Sequence, residues 1–262
     1  YSICICNYNM GDTLRKSLES IMSQIDENFE VVLVDDGSQD ESVSIGSEMS
    51  REYKNLIFVP LKRDPDRRLG ETRNLSIQKA SGEWCIFHLD TDDEIGSYIQ
   101  EFVLAVTELS KLLPRDVLFS GQQIHMGKRE FLLKHGPFRN IYRGEDRDLY
   151  MRLVKTSEWI VIKHKRFIKR YERSWKKLFV KNMRDNFDQT VNDLQSNPRP
   201  LTYLHESLMN RSILSVRIIA FRFLVLPIAM REAKRRGLIV RNGYPTHEDF
   251  LAYRKNNTRS FS

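Results

Sequence analysis

The stretch Ile-Phe-His-Leu-Asp-Thr-Asp-Asp at residues 86–93 decides the fold, because an apolar run typical of a buried strand ends abruptly in acid. Asp90, Asp92 and Asp93 follow that run, which itself follows a turn signal at residues 81–83. Like charges held this close repel one another and burial raises the cost, so packing does not account for them. Mg²⁺ or Mn²⁺ prefers hard oxygen ligands and keeps coordination positions open for substrate phosphates. The stretch therefore predicts a site for a divalent metal and a diphosphate.

Strand-like and helix-like segments alternate around this stretch. The predicted strands are Ser2–Cys6, Phe29–Val34, Leu56–Pro60, Trp84–Leu89 and Val117–Ile124. The predicted helices are Asp12–Gln24, Glu41–Tyr53, Leu69–Ala80 and Gly96–Leu113. Such alternation is typical of βαβ units, so the sequence predicts an α/β fold with a mostly parallel central sheet flanked by helices.

Polar clusters fall at the carboxyl ends of three predicted strands. They are residues 7–9 (Asn-Tyr-Asn), the pair Asp35 and Asp36, and the acidic residues 90–93. Ligands of open α/β sheets bind beyond the carboxyl ends of the strands, so we expect these clusters to meet in one crevice.

The composition changes after a Pro-containing break at residues 197–200, so we predict a main domain at residues 1–200 and a basic helical tail at residues 201–262. The apolar stretch Ile213–Met230 contains Arg217 and Arg222, which argue against a membrane-spanning helix. Two interpretations stay open: an interfacial helix with basic flanks, and a helix packed on the main domain. We expect the polar end, residues 256–262, to be disordered.

The charge is unevenly distributed along the chain. Residues 1–130 carry 14 basic and 23 acidic side chains, and the remaining residues carry 28 and 12. The basic half suits an anionic partner such as a membrane surface or a phosphorylated substrate, and nucleic acid ranks lower because no nucleic-acid module is recognised. The three cysteines form no pairing pattern, which favours a cytoplasmic setting, peripheral to the inner face of the membrane if the tail binds lipid.

Six short motifs occur in an order that resembles the family 2 glycosyltransferases. They are residues 6–9, 34–38, 70–74, 80–83, 89–93 and 144–146, and the resemblance covers residues 1 to about 160. The resemblance implies the GT-A fold, a Rossmann-like α/β architecture, here with a C-terminal helical extension. It also implies an enzyme that uses a nucleotide-diphosphate sugar with Mn²⁺ or Mg²⁺.

Residues for the donor follow from this resemblance. Tyr8 would stack on the nucleotide base with Asn9 beside it, and Asp35 and Asp36 would accept hydrogen bonds from the base and ribose. Arg73 would meet the diphosphate or the base. From the residues alone, Tyr8 is a strand-end aromatic, the two acids form an Asx turn before Gly37, and Arg73 is a solvated helix charge.

Residues for the metal and the chemistry follow in the same way. Asp90 would lie near the ribose and the metal, Asp92 would ligate the metal, and Asp93 is a third candidate that the sequence does not rank against Asp92. The alternative is a helix N-cap. Asp146 would be the general base with Glu145 as its neighbour at the acceptor, and a capping cluster at a helix start is the alternative.

One departure from the family concerns a histidine that many members use as an extra metal ligand. The corresponding stretch, residues 169–173, reads Lys-Arg-Tyr-Glu-Arg, and His164 does not align with the motif. We therefore leave His164 out of the metal set and expect Arg170 or Arg173 to take over diphosphate charge.

The resemblance implies an inverting glycosyltransferase that moves a sugar from a nucleotide-diphosphate donor to a hydroxyl of a lipid-linked, glycan or protein acceptor. Two other classes stay open. One is a phosphatase of the haloacid dehalogenase type, although that class carries Asp-x-Asp after its first strand. The other is a non-catalytic module that binds sugar nucleotides or nucleic acid.

Overall fold

A computed structural model describes residues 1–135, 138–172, 175–196, 216–239 and 244–260. The strands in this part of the chain are β1 Ser2–Asn7, β2 Glu30–Asp35, β3 Leu56–Pro60, β4 Trp84–Phe87, β5 Asp93–Ile95, β6 Leu118–Ser120, β7 His125–Lys128, β8 Trp159–Lys163, β9 Ile168–Arg170 and β10 Thr258–Ser260. The helices are α1 Gly11–Met22, α2 Ser42–Glu52, α3 Leu69–Lys79, α4 Ile99–Lys111, α5 Arg129–Lys134, α6 Glu145–Thr156, α7 Trp175–Ser196, α8 Val216–Arg236 and α9 His247–Asn256.

The chain divides into two compact units, and the predicted boundary at residue 200 does not separate them. Unit 1 comprises Tyr1–Asn140, Asp146–Tyr171 and Pro245–Ser262. Unit 2 comprises Ile141–Glu145 and Glu172–Tyr244. The division differs from the prediction because α7, which we placed in the main domain, packs with α8.

Unit 1 is built on a sheet with the strand order β10-β8-β6-β7-β4-β1-β2-β3. Strand β7 runs antiparallel to both of its neighbours, and the other described pairs in this sheet are parallel. The central strands are continuously apolar because helices cover both of their faces. Side chains of α1, α2 and α4 pack on one face, and side chains of α3, α5, α6 and α9 pack on the other.

A second, two-stranded sheet positions the acidic stretch. Strand β5 pairs antiparallel with β9, and Asp93 lies opposite Arg170 in the register. The short run of polar residues between β4 and β5 is thus held at both ends by strand pairing, which the predicted single strand at residues 84–89 did not anticipate.

The C-terminal end of the chain corrects a prediction. We expected residues 256–262 to be disordered, but β10 pairs in parallel with β8 and extends the main sheet. Helix α9 places Phe250 5.2 Å from Trp159, ring centroid to ring centroid, and the Tyr253 hydroxyl donates a hydrogen bond to the Trp159 carbonyl at 3.0 Å. These buried aromatic contacts tie the segment down despite its polar sequence.

Unit 2 contains α7 and α8, which run parallel. Near the middle of α7, Asn186 accepts a hydrogen bond from Arg222 of α8. Near the C-terminal end of both helices, the Gln195 side chain donates to the carbonyl of Gly237. Val191 and Leu194 pack with Ala229 and Ala233 between these two points. Residues 197–215, which include the predicted break, lie outside the described part of the chain. None of the described helices is long and apolar enough to cross a membrane.

Candidate active site

Asn7, at the carboxyl end of β1, links three strand ends. Its amide nitrogen donates to Asp35 Oδ2 at 2.8 Å, and its amide oxygen accepts a hydrogen bond from the Thr91 hydroxyl at 2.9 Å. Asp35 is fully buried and also accepts hydrogen bonds from the Ser38 backbone and hydroxyl. The ends of β1 and β2 and the loop after β4 are therefore joined in one hydrogen-bonded network. The bond from the Ser38 backbone spans three residues, so Asp35 stabilises the turn after β2 without forming the Asx turn, which spans two.

Tyr8 and Asp36 form a second cluster beside Asn7. The Arg63 guanidinium carbon lies 4.7 Å from the Tyr8 ring centroid, and Arg63 also pairs with Asp36 at 2.7 Å. Arg67 forms a further ion pair with Asp36. Asn9 has a left-handed backbone, with φ of 53°, and its side chain accepts a hydrogen bond from the backbone of Gln39. Arg63 therefore links Tyr8 to Asp36, and Arg67 adds a second cation at Asp36.

Asp90, Asp92 and Asp93 offer three carboxylate oxygens that all lie within 4.8 Å of one another. Asp92 and Asp93 are buried, and Asp90 is half-exposed. The N-cap alternative is wrong, because α4 begins only at Ile99, and Tyr98 occupies its cap position. Clustered hard oxygens that need positive charge fit a divalent cation such as Mg²⁺ or Mn²⁺.

Arg170 supplies positive charge to this acidic cluster. Its Nε lies 2.9 Å from Asp93 Oδ1 and 3.5 Å from Asp92 Oδ2, and its Nη2 lies 3.3 Å from Asp90 Oδ2. The hydrogen bond to Asp93 raises the pKa of Arg170, so the guanidinium stays charged. Burial raises the pKa of Asp93, and the neighbouring acids act in the same direction although Arg170 opposes them.

His88 lies directly before this cluster and was missed by the sequence analysis. It has a left-handed backbone, with φ of 74°, which is rare for a residue with a bulky side chain. Its Nδ1 lies 2.7 Å from Nε2 of buried His125, and that same Nε2 lies 2.8 Å from the Tyr150 hydroxyl. Burial, followed by the charge of Arg73, lowers the pKa of His88 to about 4. The imidazole is thus held neutral at pH 7.

The charged groups that influence the pKa of His88 come from several elements. They are Arg73 of α3, Asp146 of α6, Arg170 of β9 and Asp93 of β5. Asp146 lies on the first turn of α6, where its carboxylate also accepts a hydrogen bond from the Arg147 backbone, and Glu145 is buried at the first residue. Arg73 is only 7% exposed, so its interpretation as a solvated helix charge is wrong.

The predicted site residues fall into two linked groups. Asp35 is joined to Asn7, and Asn7 in turn to the loop that carries Asp90, Asp92 and Asp93. Asn9 is linked to Asp35 through the Ser38 hydroxyl, whereas Tyr8 and Asp36 form the neighbouring group around Arg63. His164 lies apart and accepts a hydrogen bond from the Gln122 backbone. Arg173 lies outside the described residues.

The sequence analysis missed Arg63, Arg67 and His88, although all three follow the carboxyl ends of parallel strands, where ligand-binding residues are expected. Arg63 and Arg67 lie in the polar run after β3, which is also the carboxyl end of a parallel strand. His88 is a single polar residue inside the apolar run that precedes the acidic cluster. The pairing partner of His88 could not be found, because His125 is 37 residues distant and comes from an antiparallel strand.

Comparisons with known proteins agree with this architecture. The family model for glycosyl transferase family 2 matches residues 2–180. A poly(ribitol-phosphate) beta-glucosyltransferase of Bacillus spizizenii is 35% identical over 98 residues, which cover 37% of this chain and 15% of that protein. Crystallised S. aureus TarS 1–349, in complex with UDP-GlcNAc, gives a TM-score of 0.55 at 20% identity, covering 66% of this chain and 58% of that one. The mannosyltransferase PcManGT from Pyrobaculum calidifontis, in complex with GDP-Man and Mn²⁺, gives 0.57 at 15% identity, covering 89% and 72%.

The chain belongs to glycosyltransferase family 2, because the family model covers more than half of it. The prediction of a GT-A, mostly parallel α/β fold is confirmed by the sheet and by these structural neighbours. The chain spans about one-seventh of the length of the Bacillus relative. The activity, substrates and partners of the whole protein are therefore matters for proposal.

Proposed function

We propose that this chain is the catalytic part of an inverting glycosyltransferase that uses a nucleotide-diphosphate sugar. One observation carries the proposal: three carboxylates, those of Asp90, Asp92 and Asp93, offer oxygens within 4.8 Å of one another on the loop after β4, and hydrogen bonds through Asn7 join this loop to Asp35 at the end of β2. A cation-binding cluster and a separate carboxylate beside one cleft are the two components that inverting transfer requires. The UDP-GlcNAc and GDP-Man bound by the structural neighbours support this donor class.

The donor would lie along the crevice at the ends of β1, β2 and β4. Tyr8 would stack on the base with the ring face that Arg63 does not cover, and Asn9, Asp35 and Asp36 would line the base and ribose site. Asp90, Asp92 and Asp93 would hold Mn²⁺ or Mg²⁺, which neutralises charge on the diphosphate. Arg73 would add a fixed cation beside His88.

The transfer step moves one proton and replaces one bond at the anomeric carbon. Asp146 would accept the proton of the acceptor hydroxyl as its oxygen attacks the anomeric carbon from the side opposite the diphosphate. The bond from that carbon to the phosphate oxygen breaks, and the electron pair leaves with the nucleoside diphosphate. Attack from the opposite side inverts the anomeric configuration. Buried Glu145 would flank the acceptor side.

The proposal is tested by donor turnover. UDP-Glc, UDP-GlcNAc and GDP-Man are offered with Mn²⁺, and release of nucleoside diphosphate and the anomeric configuration of the product are measured. Asp146→Asn is expected to lower turnover about 10²–10⁴-fold while donor binding is kept. Glu94→Gln removes an exposed carboxylate from the same strand as Asp93 and should behave as wild type. Product with retained configuration, or full activity of Asp146→Asn, would contradict the mechanism.

Two other classes give different results in this assay. A haloacid dehalogenase-type phosphatase would form a phosphoenzyme on Asp90, but the Asp-x-Asp element here follows β4 rather than the first strand, and the chain belongs to another family. A non-catalytic module would bind a nucleotide tightly without turnover of any donor. Nucleotide release above the rate of Asp92→Asn distinguishes the enzyme from both.

We also propose that α8 contacts an anionic membrane surface, which would place the protein at the inner face of a membrane. Its exposed side chains are apolar in the middle of the helix, with Leu224 78% and Ile228 64% exposed. Exposed Arg231 and Lys234 follow one to two turns later. An apolar face with a basic flank is typical of interfacial helices.

Co-sedimentation with liposomes tests this surface. Wild type is expected to bind vesicles that contain phosphatidylserine and to bind neutral vesicles less. Leu224→Ser with Ile228→Ser should weaken binding, whereas Leu104→Ser removes a leucine from α4 that is 64% exposed, as Ile228 is, and should not. Absence of binding to both kinds of vesicle would rule out this surface as a membrane site.

A further inference from the structure

The Arg170 guanidinium lies among the carboxylates that are the candidate metal ligands. It approaches Asp93 with two nitrogens, Nε at 2.9 Å and Nη2 at 3.3 Å. The same two nitrogens lie 3.5 Å from Asp92 and 3.3 Å from Asp90. One planar cation therefore contacts all three acids.

The backbone fixes this arrangement from both sides. Arg170 is paired with Asp93 in the β5–β9 register, and the next residue, Tyr171, donates its backbone N–H to the Asp92 carbonyl at 3.0 Å. The backbone of Arg170 therefore cannot move away from the cluster without breaking the two-stranded sheet. Its side chain is 47% exposed, whereas those of Asp92 and Asp93 are 6% and 3% exposed. The head group can thus turn outward while the buried acids stay.

We propose that Arg170 is the resident counter-ion of the acidic cluster, and that a divalent cation displaces its guanidinium towards the diphosphate of the donor. The first half follows from the contacts, because a metal ion and the guanidinium need the same carboxylate oxygens. The second half rests on the proposed function. A guanidinium fork matches phosphate oxygens as well as carboxylates, so the displaced group retains a partner in the occupied site.

The counter-ion role predicts that removing Arg170 strengthens metal binding. Arg170→Gln removes the guanidinium from the three acids, so Mn²⁺ no longer competes with it for their oxygens. We expect Mn²⁺ alone to bind about tenfold more tightly than to wild type, as for the loss of one competing charged hydrogen bond. Lys169→Gln is the matched control, because it removes the same charge from the adjacent, exposed position on β9 and should not change Mn²⁺ affinity.

The displacement predicts an effect of opposite sign on the diphosphate. Protein saturated with Mn²⁺ is titrated with UDP and with GDP, and Arg170→Gln should bind the nucleotide that wild type prefers about tenfold more weakly. A merely structural arginine would weaken metal and nucleotide binding together. Tighter Mn²⁺ binding with weaker nucleotide binding is therefore the signature of the exchange.

Electron paramagnetic resonance of free Mn²⁺ and titration calorimetry measure these two affinities on the whole chain. Mn²⁺ affinity of folded Arg170→Gln that is equal to or below that of wild type would overturn the counter-ion role. If Arg170→Gln does not fold in EDTA, Arg170→Lys decides: it keeps the charge without the fork, so Mn²⁺ affinity should stay close to that of wild type while nucleotide affinity of the Mn²⁺-saturated protein falls, and unchanged nucleotide affinity would overturn the proposal. If wild type binds neither UDP nor GDP, the displacement fails together with the proposed function, and the Mn²⁺ titration still decides the counter-ion role.

Discussion

Replacing Asn7 tests whether the crevice is held together as described. Asn7→Leu keeps the approximate size of the side chain and removes both of its hydrogen-bonding groups. Fully buried Asp35 then loses a hydrogen-bond donor, and the Thr91 hydroxyl loses its acceptor. A bond to a charged group contributes about 1.5–3 kcal/mol and a neutral bond about 0.5–1.5 kcal/mol, so we expect a loss of about 2–4.5 kcal/mol in the free energy of unfolding.

Asn7→Asp adds a sharper, pH-dependent test. The new carboxylate would face Asp35 Oδ2 at hydrogen-bonding distance inside the protein, where two charges repel strongly. The pair would share one proton, so its folded-state pKa would rise above the unfolded value of about 3.9. A raised folded pKa contributes stability at low pH that is lost as the pH rises through it. The variant should therefore be less stable at pH 8 than at pH 5, relative to wild type.

Urea denaturation followed by tryptophan fluorescence measures both variants, since Trp84 and Trp159 are buried. Asn28→Leu, at an exposed asparagine, is the control and should stay within about 0.5 kcal/mol of wild type. The reasoning would be refuted if Asn7→Leu were equally close to wild type. It would also be refuted if Asn7→Asp lost no more stability at pH 8 than at pH 5.

Three further results are expected. Tyr8→Ala should weaken nucleotide binding by about 1–3 kcal/mol in calorimetry, as for loss of a base-stacking ring, and Tyr8→Phe should not; equal affinities in both would exclude stacking. Burial holds the pKa of His125 well below its usual value, so below about pH 6.5 the unfolded chain binds a proton that the folded chain does not. The free energy of unfolding of wild type should therefore fall by up to about 1.4 kcal/mol for each pH unit of acidification because of this group. His125→Asn should flatten that fall in urea denaturation, and an unchanged slope would contradict the assignment. Trp159→Ala should cost about 3–5 kcal/mol because it removes the ring against which α9 packs, whereas a loss below about 1 kcal/mol would contradict that docking.

Much of the main sheet could be predicted because its strands are local apolar runs between helical patterns. Because ligands of open α/β sheets bind beyond the carboxyl ends of the strands, the sequence predicted that Asn7, Asp35 and the acidic stretch lie at one edge of the sheet. In the structure, hydrogen bonds join these three segments. These inferences need only periodicity and the direction of parallel strands. They do not need to know which distant segments touch.

The features that the sequence did not reveal depend on distant contacts. The polar end of the chain becomes β10 because α9 packs on Trp159, a ring about 90 residues earlier in the sequence. The His88–His125 pair and the Arg170 contacts to the acids likewise join segments with no local signal of pairing. Such contacts are set by tertiary register, so residue type alone cannot supply them.

The central claim is that the carboxylates after β4 bind a metal together with a nucleoside diphosphate. Titration of UDP and GDP into wild type, Asp92→Asn and Glu94→Gln, each with Mn²⁺ and with EDTA, tests it most directly. We expect one nucleotide to bind wild type and Glu94→Gln only with Mn²⁺, and to bind Asp92→Asn at least tenfold more weakly, by about 1.4 kcal/mol or more. Equal binding by all three proteins, with or without the metal, would contradict the claim.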